Sequence, residues 1–446
     1  MIAANNDDDG DEYPAKFMHH LKLKTNPKTD KSRGRRATSV YRAWYNQLRE
    51  TDAALHSRAA FLSAIVPTIT PTNGDRSALP RPAMIENSRT PFMSKEITDY
   101  IQKTNVTHWL KYSAKNIRGR SVNVHIMHCG GGGAVNNHDD DDDSVRRGIP
   151  VDVLARYRSY VYKIYAWFHF IHPSVAQDSD CSKTINLYFY FTPFEKQFPR
   201  TAGRTLGPVN ANTGFTYSCA SNPHPGGKKS TEIIIFRHEE WFKVLLHETL
   251  HNLELDFNTH AGTSLRDIFP GVRHEILLSE AYVETWARLI NLGFYVFYDI
   301  YGGNGTAAEY NLAVQRCLSA ECAFSLFQAD ATLQYMGLSM QKLLDRDDSD
   351  VAAEFAKKYS ENTNIFAYYV LAGMMVFEAD EFIGWCTENN AFSLIQAPTG
   401  ASGGTVGFKK LIDRLSKSER IKQTILNLPE SRDIDDGQTM RMTLWH

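Results

Sequence analysis

Apolar residues recur at helical spacing from Tyr41 to about Leu62, and the proline- and glycine-bearing stretch PTITPTNG at 67–74 interrupts them, which predicts a helix followed by a loop. SVNVHIMH at 121–128 alternates with a period of two and reads as a strand. Residues 151–171, VDVLARYRSYVYKIYAWFHFI, make one long helical pattern that Pro173 closes. TINLYFYFT at 184–192 and TEIIIF at 231–236 are rich in β-branched and aromatic residues and predict strands. GFTYSC at 214–219 is a shorter candidate strand ahead of the turn-rich SNPHPGGKKS. From about residue 277 the pattern is mostly helical, with breaks at 302–305, 345–350 and 398–407.

Segments without a period divide these elements. Residues 1–36 mix acidic and basic side chains with few apolar anchors and predict a mobile charged arm. Four glycines and five aspartates mark 130–144 as an exposed flexible insertion. The organisation expected is therefore the arm at 1–36, a mixed N-terminal region at 37–150, a core at 151–300 and a helical region at 301–446. The most apolar run, Ile365 to Phe377, is broken by Gly373 and followed at once by Glu378, Asp380 and Glu381, as suits a buried helix rather than a membrane span.

Composition narrows the function classes. A length of 446 residues exceeds one ordinary core, and a net charge of −2 gives no global field to recruit nucleic acid or an anionic membrane. Only the basic stretch at 31–36 offers nucleic acid a local patch. No signal-peptide core opens the chain, and its six cysteines form no CxxC pair, so an intracellular, soluble, cytoplasmic protein without disulfides is expected.

The chemistry lies in RHEEWFKVLLHETLHNLEL, where His247, Glu248 and His251 form HExxH. A spacing of four puts both imidazoles on one helical face, one turn apart, where they can share a cation. Phe242, Leu245, Leu246, Thr249 and Leu253 gather on the opposite side. Glu248 projects beside the histidines, which suits a carboxylate that accepts a proton without ligating the ion. A third protein ligand is then needed, and LLSEAYVETWARLI at 277–290 offers Glu280 with Glu284 one turn further on. Asp256, His260, Asp267 and His274 also lie within reach in sequence.

HExxH on one helix, followed by a glutamate on a later helix with a carboxylate four residues on, resembles the gluzincin branch of the zincin metallopeptidases over about residues 210–290. The resemblance implies that Glu280 is the third zinc ligand and that Glu284 orients a ligating histidine through its free ring N–H. The metzincin pattern fails, since Glu254 stands where glycine is expected and Phe257 where the third histidine is expected. GTSLRD at 262–267 is similar to an element of aspartate-type zincins but with the aspartate displaced, which keeps Asp267 as the alternative third ligand. The chain is also similar to uncharacterised metallopeptidases of large DNA viruses, which implies a virus or its host cytoplasm as the location.

The fold expected is α+β: a zincin-like core with a small sheet and an active-site helix, plus a largely helical C-terminal half. The reaction expected is metal-assisted hydrolysis of an amide in a peptide or protein substrate, with Zn2+ as cofactor and Glu248 as general base. GFTYSC is the candidate edge for binding the substrate as an added strand. His274, Tyr282 and Arg273 are the candidate transition-state donors. The rivals are a non-catalytic, metal-stapled structural or virion protein, a zinc hydrolase of non-peptide substrates, and an adaptor whose basic arm binds nucleic acid.

Overall fold

The computed structural model describes residues 13–24, 35–55, 58–72, 79–80, 82, 92–103, 106–129, 148–175, 183–201, 203–217, 231–257, 262–345, 349–390, 392–398, 403–429 and 439–445. The glycine/aspartate insertion, positions 31–34 of the basic stretch and His260 lie outside the described residues. The fold is mixed α and β, with one open six-stranded sheet. The chain forms two compact units, one made of Asn46–Phe194 and Thr213–Leu253, the other of Met1–Tyr45, Glu195–Asn212 and Glu254–His446.

The first unit carries the sheet. Its strands are β1 (Thr68–Pro71), β2 (Val106–Ile117), β3 (Arg120–Cys129), β4 (Thr184–Thr192), β5 (Gly214–Thr216) and β6 (Thr231–Arg237), in spatial order β1-β2-β3-β4-β6-β5. β3, β4 and β6 run parallel, whereas β1, β2 and β5 are antiparallel to their neighbours. The helix Val151–Ile171 is the crossover that parallel pairing of β3 with β4 requires, and it packs on β2. Every residue of β6 is buried, so its apolar run Ile233–Phe236 is continuous rather than alternating, as expected for a strand covered on both faces. One face buries Met93, Ile97, Met127, Tyr188, Phe215, Ile234 and Phe236 together.

One local expectation needs correction here, and one strand is not foreseen by the pattern. Thr68–Pro71 is a strand, not a loop: Thr68, Ile69 and Thr70 are β-branched, and Pro71 is tolerated because β1 is an edge. β2 escapes the pattern because it runs from apolar Leu110 into Lys111 and Ser113 on its more open stretch.

The second unit is helical. The helix Leu278–Phe294 is buried along its length except at Glu280, and packs beside Ala307–Tyr335 and Ala372–Phe377. The apolar run after Ile365 is buried as expected, although its first part, Phe366–Leu371, winds as a wider π-type turn. Within the arm expected to be mobile, Tyr13–Lys24 is a helix whose Phe17 is fully buried against Phe324 and Phe327, so one aromatic anchor suffices there. Among the described residues no helix is long and apolar enough to cross a membrane, and Cys129, Cys317, Cys322 and Cys386 are free thiols.

Candidate metal centre

The HExxH helix spans Trp241–Asn252 and follows β6 after a short turn. Its apolar back explains its placement: Phe242, Leu245, Leu246 and Thr249 are buried, and the helix packs on β5 and β6. Thr249 returns its hydroxyl to the Leu245 carbonyl at 2.6 Å, which removes a polar group from that interface. Leu253, expected on the same face, is only partly buried because it is the C-cap residue.

Two devices fix the helix against the sheet. Asn252 Nδ2 donates to Thr216 Oγ1 at 3.0 Å and to the Tyr217 carbonyl at 3.1 Å, which ties the helix end to the edge strand. At the other end of that strand, a Cβ on Gly214 would lie 2.7 Å from the Ile234 carbonyl and 3.0 Å from Val244 Cγ1, so only glycine lets β5 come this close to β6 and the helix.

Left-handed backbone brackets the helix, with φ of 55° at Glu240 and 57° at Glu254. Non-glycine residues pay roughly 1 kcal/mol for this conformation, and such strain concentrates at functional sites. At Glu254 the chain therefore makes the turn for which the metzincin pattern uses glycine. Phe257, three residues on, is buried against Tyr282 and Phe408 and provides no ligand.

His247 Nε2 and His251 Nε2 face each other at 3.2 Å, with ring centroids 4.8 Å apart. Two nitrogens at about 2.0–2.1 Å from one tetrahedral ion stand about 3.3 Å apart, so the pair already has the spacing of two ligands on one zinc. With no ion, the same distance suits a hydrogen bond in which one ring N–H donates to the other nitrogen.

Glu280 completes the group: His247, His251 and Glu280 each offer a ligand atom, and these atoms lie within 4.8 Å of one another. His247 is buried, and His251 and Glu280 are partly exposed. Two imidazoles and a carboxylate are the donor chemistry zinc takes. Glu248 is likewise partly exposed on the same helix.

The remaining sequence candidates are placed as follows. Glu284 Oε1 accepts from Arg288 Nε at 2.9 Å, both side chains fully buried, and Arg288 also donates to Ser325 Oγ at 3.2 Å and to the Tyr368 carbonyl at 2.7 Å. Asp267 is exposed and pairs with Lys409 Nζ at 2.7 Å, and it does not belong to the group that Glu280 joins. His274 Nε2 lies 2.6 Å from Glu361 Oε1, its ring stacked on Tyr359. Arg273 is exposed, and its carbonyl accepts from Arg266 at 2.6 Å.

Tyr282 is a correction. It is 1 % exposed, donates to the Ile395 carbonyl at 2.8 Å and accepts from Asn390 at 2.9 Å, and burial pushes its hydroxyl well above its ordinary pKa. Its hydroxyl is spent in the helical core, because position 282 is two residues, or about 200°, round the helix from Glu280. Arg288, Asn252 and Gly214 had no place in the sequence reading. Of these only Arg288 left a signal, as the i+4 partner of Glu284.

No protein-family model, curated protein or solved structure matches the chain.

Proposed function

We propose that the chain is a zinc-dependent hydrolase of the gluzincin type, acting on the amide bonds of a peptide or protein. The observation that carries this reading is the 3.2 Å separation of His247 Nε2 and His251 Nε2 on the HExxH helix, joined by Glu280 within 4.8 Å. His247, His251 and Glu280 would hold zinc, leaving one of four positions open. When bound, zinc supplies Lewis-acid activation of water and of a substrate carbonyl.

The rest of the mechanism belongs to the chain. Glu248 lies one residue after His247, about 100° round the helix, and takes the proton from the attacking water. It then passes that proton to the leaving nitrogen, so the carboxylate is regenerated as the amide bond breaks. Among the described residues β5, antiparallel to β6, is the last strand of the sheet, and a substrate would add as a further strand along its outer side. His274, once released from Glu361, and Arg273 are the remaining nominees for a donor to a developing oxyanion.

The test is Glu248→Gln, assayed on a broad peptide library with zinc content and melting temperature measured on the same preparation. The amide keeps size and hydrogen bonding but cannot take the proton, so zinc and fold should persist while hydrolysis falls by at least about 100-fold. Equal cleavage rates for wild type and variant would refute the assignment of the base.

A further inference from the structure

The helical unit buries a stretch of chain that belongs to no helix or strand. In Thr439–Trp445 every residue from Met440 to Leu444 is at most 6 % exposed, yet among the described residues its one ladder pairing is the antiparallel bridge of Thr439 with Gln197. Buried backbone without a ladder must find its hydrogen bonds elsewhere. Side chains of three helical elements and one backbone carbonyl supply them. The Lys196 carbonyl accepts from Met440 N at 2.8 Å, the Tyr369 hydroxyl donates to the Met440 carbonyl at 2.5 Å, and Gln328 Nε2 donates to the Thr439 carbonyl at 3.4 Å. At the other end Glu321 Oε2 accepts from Leu444 N at 2.9 Å and from Thr443 Oγ1 at 3.1 Å, and Asn291 Nδ2 donates to the Trp445 carbonyl at 2.7 Å.

The apolar side chains alternate along the segment. Met440, Met442 and Leu444 are all buried, and Leu444 joins Phe17, Ala320, Ala323, Phe324 and Phe327 in one cluster. Trp445 stacks on Tyr295 with ring centroids 5.3 Å apart and donates Nε1 to the Cys317 carbonyl at 3.2 Å. A main chain gripped at both ends, with apolar side chains pocketed at alternate positions, is the way a receptor holds an extended peptide from another molecule. Methionine at two of those positions suits a ligand that must be fitted into ready-made space, because its unbranched thioether adapts to irregular gaps. Lifting the segment out breaks one bridge and a set of side-chain contacts, while the helices around it keep their own backbone bonds.

We propose that this channel is a peptide-binding site whose exchangeable internal ligand is Thr439–Trp445. The ligand class is an extended peptide with apolar side chains at alternate positions and a hydroxyl placed to meet Glu321. Asn291, Gln328, Tyr369 and the Lys196 carbonyl read its main chain, and the Glu321 carboxylate reads the Thr443 side chain. None of His247, Glu248, His251 and Glu280 takes part, so the site goes beyond the hydrolase reading and does not depend on it.

The experiment uses the full chain and a labelled synthetic peptide of residues 438–446. Leu444→Asp puts a charge among Phe17, Phe324 and Phe327, which weakens the internal ligand and leaves the channel's own residues unchanged. The peptide should bind that variant saturably, one per chain, and at least about 100-fold more tightly than it binds wild type, where the tethered segment competes at an effective concentration of roughly millimolar. The same peptide with Thr443→Val keeps its shape but lacks the hydroxyl that meets the Glu321 carboxylate, so it should bind about 10-fold more weakly. No saturable binding to the folded variant, or equal affinity for the valine peptide, would overturn the proposal. Amide hydrogen exchange of wild type decides the matter should Leu444→Asp not fold. The amides of Met440 and Leu444 should then open together, at least about 10-fold faster than the slowest amides of the helix Ala307–Tyr335. Exchange of both at the rate of that helix core would make the segment an inseparable part of the fold and overturn its role as a ligand.

Discussion

Gly214→Ala tests whether the candidate metal helix is seated by close approach to the edge strand. The added methyl would sit 2.7 Å from the Ile234 carbonyl oxygen, 2.7 Å from Ile235 Cδ1 and 3.0 Å from Val244 Cγ1. An ordinary carbon contact needs about 3.4 Å or more, so β5 must move off by roughly 0.5–0.7 Å, and the nearest obstacle is backbone that cannot rotate away. β5 is only three residues long and among the described residues pairs with β6 alone, so it has few ladder hydrogen bonds with which to resist. Overpacking of this kind costs about 1–3 kcal/mol. In a unit of about 190 residues each kcal/mol moves the midpoint by about 2–4 °C, which gives an expected fall of about 2–12 °C. The assay is thermal unfolding followed by calorimetry, paired with zinc affinity by competition with a chelator. Since Asn252 is tied to Thr216 and Tyr217, the same shift should weaken zinc binding several-fold. A midpoint within 1 °C of wild type, with unchanged zinc affinity, would refute the argument that this glycine positions the helix.

The buried pair of Glu284 and Arg288 predicts a large effect from removing one partner. Arg288→Met should cost about 3–5 kcal/mol because it removes the guanidinium that faces a buried carboxylate, and a double variant Glu284→Gln, Arg288→Met should recover part of that loss, both read from denaturant midpoints. Asp267→Asn should leave zinc content unchanged and stability within about 1 kcal/mol, because its partner Lys409 is met at the surface; zinc loss there would favour an aspartate-type site over Glu280.

Periodicity carried the sequence reading where one period persists. β6 and the crossover helix were legible because Ile233–Phe236 and residues 151–171 keep a single environment along their length. β1 was hidden by Pro71, whose effect depends on whether a strand lies at an edge, and an edge is a property of the assembled sheet. The helix at Tyr13–Lys24 was hidden because one buried phenylalanine settles it, and its partners Phe324 and Phe327 lie some 300 residues away.

The candidate site divides in the same way. His247 and His251 were readable together because a spacing of four on one helix fixes their relation without any tertiary information. Glu280 required a choice among several carboxylates, which proximity in space makes and sequence distance does not. Tyr282 was misread because its polar tip finds partners at Ile395 and Asn390, more than 100 residues downstream. Gly214 beneath the helix belongs to packing and lies beyond any motif, whereas Arg288 shows only as the i+4 partner of Glu284.

The central claim is that His247, His251 and Glu280 bind one zinc, and elemental analysis of the purified full-length chain tests it most directly. One equivalent of zinc per chain is expected in the wild type, and less than about 0.1 in His247→Ala, His251→Ala prepared in parallel, with Glu280→Ala also losing the ion. Metal-free wild type after growth with zinc, or the same zinc content in wild type and the double-histidine variant, would contradict the account.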